Sequence, residues 1–428
     1  MDPITVATAI FLDAARDGEL NLLKQSAAAL DHFLGVGIPA ILENTKDGDG
    51  RRAIHYAAAG GRVNVLKYLI EEMGLEVDVK DNTGETSLCG AAIEGRLAAV
   101  EYLLEMGANP EIPDDSNCTP LHHVAREGNK DAIPLLLSKG MNVDVTNDIG
   151  SPLQYATLAG KHDTVQVLLD HGANPNLVFC ETVTPLHTSI TSQSWQLVEA
   201  LLKAGADPNG GPDGIRALPF AAEMGEIQII KLLVDAGADP NVTNISRLTP
   251  LELAAVNNNR QGVEILFPVT SPIPSYVDWS INGIIKHVNS KEFYDKMIHN
   301  EKANFLEAKS RGTSAFRRKE YWLAVYWYTE ALSIKPGDAA VLSNRSMCYA
   351  YLNKGDLAFE DAKQCVLAKP DWPKAFYRTG VALKLLNRLG DAADALFDGL
   401  KLDPENKELE DAFREVSVDR LKAINVPI

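Results

Sequence analysis

Apolar residues along the first 267 positions come in short helical bursts, none long enough to stand alone as a core. Runs such as Val165–Leu169 and Val198–Leu202 place leucine and valine on one helix face, and each run stops at a Gly-Ala-Asn/Asp-Pro tetrad: Gly107–Pro110, Gly172–Pro175, Gly205–Pro208 and Gly237–Pro240. Upstream of the bursts a second four-residue pattern recurs, beginning at Arg52, Thr86, Thr119, Ser151, Thr184, Ala217 and Thr249, with steps of 34, 33, 32, 33, 33 and 32. A fixed period of this size marks a solenoid in which each unit buries its apolar face only against its neighbours. In Thr-Pro, the hydroxyl caps the orphan amides of a helix start and proline is tolerated in the first turn. The glycine takes the left-handed conformation that ends the second helix. Residues before proline avoid the helix, so Asn/Asp-Pro leads into an extended finger.

These residues resemble the ankyrin repeat, across about residues 47–267, with residues 8–31 expected as a capping helix pair. The units at Arg52 and Ala217 lack the Thr-Pro pair, and looser helix starts are expected there. His55, His122 and His187 hold the fourth signature position, where the resemblance implies backbone bonding. His123 follows directly, and the set reads as structural, with no metal implied. Ankyrin units recognise proteins through finger tips and the inner helical face. That resemblance offers Asp114, Asp115, Asp148, Phe179 and Asp213 as tip residues, with Phe179 as an apolar anchor.

Residues 268–300 keep neither period. Pro268, Pro272 and Pro274 end the first rhythm, and Tyr276 to Val288 then reads as helical with Trp279, Ile281, Ile284 and Ile285 apolar. A free linker has no use for such residues, so partial docking of the spacer is expected.

From Phe305 the period becomes 34, with units from Phe305, Ala339 and Pro373. Small residues align at the eighth position (Gly312, Ser346, Gly380) and the twentieth (Ala324, Ala358, Ala392), and Pro336, Pro370 and Pro404 close each unit. Small residues let antiparallel helices approach closely, and the proline stops the second helix. The pattern is similar to three tetratricopeptide repeats followed by a solvating helix from about Lys407 to Lys422. The fold expected is all-α: two α-solenoids in one chain, with 1–267 ankyrin, 268–300 spacer and 301–428 tetratricopeptide.

First-helix positions 2, 5, 6, 9, 12 and 13 of such a unit face a concave groove. Lys309 and Thr313 occupy them in the first unit, Asn344 in the second, Lys374 and Arg378 in the third. Lys309/Thr313 and Lys374/Arg378 are four apart and so share a helix face. Lysine offers a point charge and arginine a planar fork, which suits a carboxylate. The run Ser343–Ser346 with Lys369–Arg378 resembles the dicarboxylate-clamp repeats of chaperone-organising co-chaperones, which hold the C-terminal Glu-Glu-Val-Asp of heat-shock proteins 70 and 90. The resemblance implies a clamp of Lys309, Asn344, Lys374 and Arg378, with side-chain pockets lined by Phe316, Met347, Ala350 and Leu385. Thr313 departs, since that family has asparagine there.

Charge sharpens this division. The chain carries a net −17, yet residues 301–428 hold 20 basic and 19 acidic groups (+1) and the preceding 300 hold 21 and 39 (−18). An acidic front half repels phosphate backbones, which argues against nucleic acid. No apolar run reaches the roughly 18 residues of a membrane span. The apolar stretch Ile4–Leu12 is flanked by Asp2 and Asp13, the wrong charge for a secretory leader. The last residues, Asn425–Ile428, carry no lipidation or sorting address. Five scattered cysteines without a CxxC pair imply a reducing compartment. No nucleophile–base pair or phosphate loop is present, and no cofactor is implied. The expectation is therefore a cytoplasmic, non-catalytic adaptor, with a nuclear fraction allowed, monomeric, whose rear groove takes a chaperone tail while the ankyrin array holds another protein. The alternative is a scaffold whose groove takes another peptide or one of the chain's own segments.

Overall fold

The computed structural model describes residues 3–147, 149–178, 183–211 and 216–423. Their regular elements are helices, and isolated β bridges pair Lys46 with Arg52 and Lys80 with Thr86 at two fingers. No helix among the described residues is long and apolar enough to cross a membrane. Contacts divide the described residues into two compact units, those up to 178 with 183–210, and those from 211 onward.

The first unit opens with the helix pair Pro3–Asp17 and Leu20–Leu34, as the apolar bursts predict. Helix pairs then repeat, for example Ser87–Ile93 with Leu97–Glu105, and Pro185–Thr191 with Trp195–Lys203. Thr86, Ser151 and Thr184 cap their helices by accepting from the amides of Cys89, Gln154 and His187 at 3.4 Å. The start lacking threonine is repaired by histidine: His55 Nδ1 accepts the Arg52 amide at 3.1 Å, so the expected loosening at this unit is absent. Val100, Leu103, Val165, Leu168, Val198 and Leu201 are fully buried between helix pairs. Successive fingers are stitched through backbone, Asn82 N to Asp49 O and Asp115 N to Thr83 O, both 2.9 Å.

The second unit holds the last ankyrin pairs, the spacer and the tetratricopeptide repeats. The spacer is docked. Its helix, Ile281–Val288, is capped by Ser280; Ile284 is fully buried, Tyr276 donates to Glu252 at 2.9 Å, and Trp279 stacks on Phe267 with centroids 5.7 Å apart. The next helix runs unbroken from Lys291 to Arg317 for 27 residues. The first groove helix thus begins well before Phe305, inside the stretch predicted as spacer. Ile245, on the finger of the last ankyrin unit, packs against the core of the first tetratricopeptide pair.

The remaining pairs are Ala339–Tyr351 with Gly355–Ala368 and Pro373–Leu385 with Leu389–Leu402, closed by Lys407–Ala423. Their crossings depend on missing side chains: a Cβ on Gly312 would lie 2.7 Å from Cε1 of Tyr328, which is itself 1% exposed. Arg345 forks onto Asp361 with two bonds of 2.7 Å between the helices of the middle pair. That cation serves packing and not the groove.

Candidate functional site

Three helices, Lys291–Arg317, Ala339–Tyr351 and Pro373–Leu385, supply every residue of the expected clamp. On the first, Lys309 Nζ stands 3.6 Å from Asp338 Oδ1, and Lys335 reaches the same carboxylate at 2.9 Å. Burial pushes the Asp338 carboxyl up, but Lys335, the Val341 amide and Lys309 together hold it below the usual carboxylate range. Lys309 is thus oriented by an internal partner.

One turn on, Thr313 behaves differently from the expectation of a free donor. Its hydroxyl donates to Lys309 O at 2.9 Å and lies 3.2 Å from the hydroxyl of Tyr328. Burial raises the Tyr328 phenol, while hydrogen bonds to Thr313 and Asn344 oppose that rise. Tyr328 therefore joins the first helix to the second at the groove floor.

The third helix continues the chain of contacts. Arg378 Nε donates to Ser343 O at 3.2 Å, one residue from Asn344. Its side chain is only 7% exposed, and its Cζ lies 5.3 Å from the Tyr377 ring centroid. Nη1 is buried with no hydrogen-bond partner. Burial depresses the Arg378 pKa; burial and then the neighbouring Arg378 charge depress that of Lys374. Two cations held together against desolvation, one with an unused donor, form a site short of negative charge.

Aromatic walls flank this floor. Phe316 lies 5.6 Å from Tyr321 and 5.8 Å from Tyr351, and those two tyrosines stack at 4.7 Å with planes 7° apart. Met347 and Ala350 are half-buried on the middle helix. Leu385, 40% exposed, lines a cavity of about 570 Å³ with Tyr377, Val381, Lys384 and Val416.

Sequence reasoning missed Tyr328, Tyr351, Tyr377 and Asp338. The signal was present for two: Tyr351 and Tyr377 occupy the thirteenth and fifth positions of their units, both groove-facing. Tyr328 occupies a packing position, and only the fold reveals what its hydroxyl does.

Among the expected ankyrin tips, Asp115 is exposed, while Asp114 corrects the expectation. Its side chain is 9% exposed, with Oδ2 bound to His123 Nε2 at 2.8 Å and Oδ1 accepting the Ser116 and Cys118 amides. It is a structural residue of the finger base. Asp148, Phe179 and Asp213 lie outside the described residues. His122 is structural: Nδ1 accepts the Thr119 amide, and Nε2 lies 3.1 Å from Gly150 O. Cys89, Cys118, Cys348 and Cys365 are free and buried.

Known proteins share these features piecewise. The ankyrin-repeat family matches residues 11–114, 106–178, 121–211 and 186–273, and the tetratricopeptide repeats of BSK1-like serine/threonine-protein kinases match 286–379. The Hsp70-Hsp90 organising protein of Plasmodium falciparum is 37% identical over 120 residues, which is 28% of this chain and 47% of that one. The serine/threonine-protein kinase BSK1 of Arabidopsis thaliana is 35% identical over 105 residues, 24% of this chain and 20% of the kinase. The chain thus spans less than half the length of these curated relatives. Among solved structures, the ankyrin repeat domain of Bcl-3 covers 51% of this chain and 99% of its own, with 28% identity and a TM-score of 0.47.

Proposed function

This chain belongs to the ankyrin-repeat family and carries tetratricopeptide repeats behind that array, a protein-interaction adaptor built from repeats, and from that premise we propose that its rear groove binds the free C-terminus of an acidic peptide. The peptide of choice is the Glu-Glu-Val-Asp tail of heat-shock proteins 70 and 90, with a second protein held by the ankyrin array. The observation that carries this reading is Arg378: a buried guanidinium beside Lys374 with Nη1 unpartnered. An incoming carboxylate supplies the missing acceptor once a small turn of the Arg378 side chain uncovers Nη1, a charge-assisted bond of about 1.5–3 kcal/mol before costs. Lys374 adds a second contact, and Asn344 and Lys309 receive the other carboxylate. The output is tethering, without catalysis, in the cytoplasm, by a monomer that engages neither nucleic acid nor membrane.

After the cost of ordering a short peptide, a micromolar constant, about −8 kcal/mol, is expected. The test is calorimetry with a peptide ending Met-Glu-Glu-Val-Asp and with the same peptide as its C-terminal amide. The amide is expected to bind at least tenfold more weakly, and Lys374→Ala to cost about 2 kcal/mol. Equal affinity for acid and amide overturns the reading. Thr313 favours one rival: with its hydroxyl spent on Lys309 O, the groove has one donor fewer and suits a different acidic tail. In that case the acid-over-amide preference survives and the heat-shock sequence loses to others in a peptide panel.

A further inference from the structure

We propose that the front array binds a zinc-class divalent cation through Glu85, Cys89 and His123, with Asp114 orienting the imidazole. The donor atoms of these three residues all lie within 4.8 Å of one another. Tetrahedral zinc, with bonds of about 2.0–2.3 Å, needs its ligands roughly 3.5 Å apart, so a small rotamer adjustment gathers them. Thiolate, imidazole and carboxylate are the donors this borderline-soft ion prefers.

The fold presents them from adjacent units. Glu85 and Cys89 sit at the start of helix Ser87–Ile93, and His123 in the first turn of Pro120–Glu127. His123 is distinctive in sequence: the position after the four-residue signature holds Tyr56, Gly90, Tyr155 and Thr188 in four sister units. It is also unlike the capping histidines, since His122 spends both ring nitrogens on backbone. His123 uses Nε2 on Asp114 at 2.8 Å, and Asp114 is itself fixed by two amides at 2.8 Å. A carboxylate on one ring nitrogen is the outer-shell partner that orients a metal-bound histidine at the other.

That other nitrogen, Nδ1, lies 3.2 Å from Arg126 Nη2. The Arg126 side chain is 49% exposed and already pairs with Glu127, so it can swing aside. Of the three ligands only Glu85 lines the adjacent cavity of about 490 Å³, with Arg126 and Gly90 in the same wall; displacing Arg126 would let a water from it serve as fourth ligand. Cys89 is 3% exposed, and burial holds its thiol neutral; binding releases that proton to solvent as the sulfur–metal bond forms. Asp114, Cys118 and His123 make a second triad, but using it would sever the Asp114–His123 bond and displace Cys118 from Tyr155 and Asn147, at 3.2 and 3.1 Å.

The full chain, stripped with chelator and kept reduced with a phosphine, is titrated with cobalt(II) and then zinc(II). One equivalent of cobalt is expected, with tetrahedral ligand-field bands and a sulfur-to-cobalt charge-transfer band, bleached by zinc. Zinc is expected to raise the melting temperature. Cys89→Ser should abolish the charge-transfer band and Cys118→Ser retain it. Glu85→Gln should weaken binding at least tenfold. Asp114→Asn should keep the band and lose about 10–100-fold in affinity. Circular dichroism reports folding of each variant; if Asp114→Asn unfolds, Glu85→Gln carries the test alone. A folded wild-type chain giving no charge-transfer band overturns the proposal. So does a band that survives Cys89→Ser and vanishes in Cys118→Ser.

Discussion

Thr313 shows how one hydroxyl can lower the reach of a whole groove. Threonine in a helix readily bonds the carbonyl one turn back, and here it does so at 2.9 Å, leaving no proton for a ligand. An asparagine amide extends further and brings two donors. Thr313→Asn is therefore expected to tighten binding of the acidic tail by about 1 kcal/mol; calorimetry with an unchanged or weaker constant contradicts this. A second residue-scale effect concerns His122, fully buried and pushed down to about 4, first by burial. Its folded value lies below the unfolded one, so the unfolded chain binds more protons between roughly pH 6.5 and 4. Stability is full above that window and lost as pH falls through it, by on the order of 3 kcal/mol for this site. Melting curves of the full chain from pH 7 to 4 should show the decline. A flat profile means that the fold does not depress the His122 pKa.

Between elements, contact depends on what is absent from the side chain as much as on what is there. The Gly312 position faces the Tyr328 ring so closely that a methyl would sit 2.7 Å from Cε1. The ring is enclosed, so Gly312→Ala must shift a helix; overpacking of this kind costs about 1–3 kcal/mol. Denaturant midpoints measure that loss, and the variant should also weaken tail binding because Tyr328 bridges Thr313 and Asn344. An alanine variant as stable as the parent contradicts the packing. This crossing was legible in sequence because a small residue recurs at the eighth position of every unit. Lys309, Asn344, Lys374 and Arg378 could be singled out from sequence for the same reason: repeat position fixes helix face. Helix Lys291–Arg317 was not, because residues before Phe305 have no sister copy to align with. Its start signal was Ser290, whose hydroxyl accepts the Phe293 amide at 3.2 Å. The partners of Thr313, Asp114 and His123 were hidden too: they lie near in sequence, but repeat position fixes a helix face and not the side-chain rotamer that selects the bond.

For the molecule as a whole, the boundary between repeat families is not the boundary between compact units. The second unit, from residue 211 onward, includes the last ankyrin pairs with the spacer and the tetratricopeptide array. Ile245 covers the core of the first tetratricopeptide pair, and Arg247 adds an ion pair to Glu307 at 3.8 Å. That pair is largely exposed and contributes little; the apolar contact dominates. A fragment 211–428 is therefore expected to melt at higher temperature than 291–428, although both keep every groove residue. Glu330 adds a sign to this. Its carboxyl is held above the usual range first by burial and then by Glu223, which only the longer fragment contains. A carboxyl raised on folding stabilises below its unfolded pKa and loses that contribution as pH rises through the folded value. The advantage of the longer fragment should then be larger at pH 5 than at pH 8. Equal melting temperatures would mean that the last ankyrin finger merely lies against the tetratricopeptide core without supporting it, and the tetratricopeptide groove would then be an independent module.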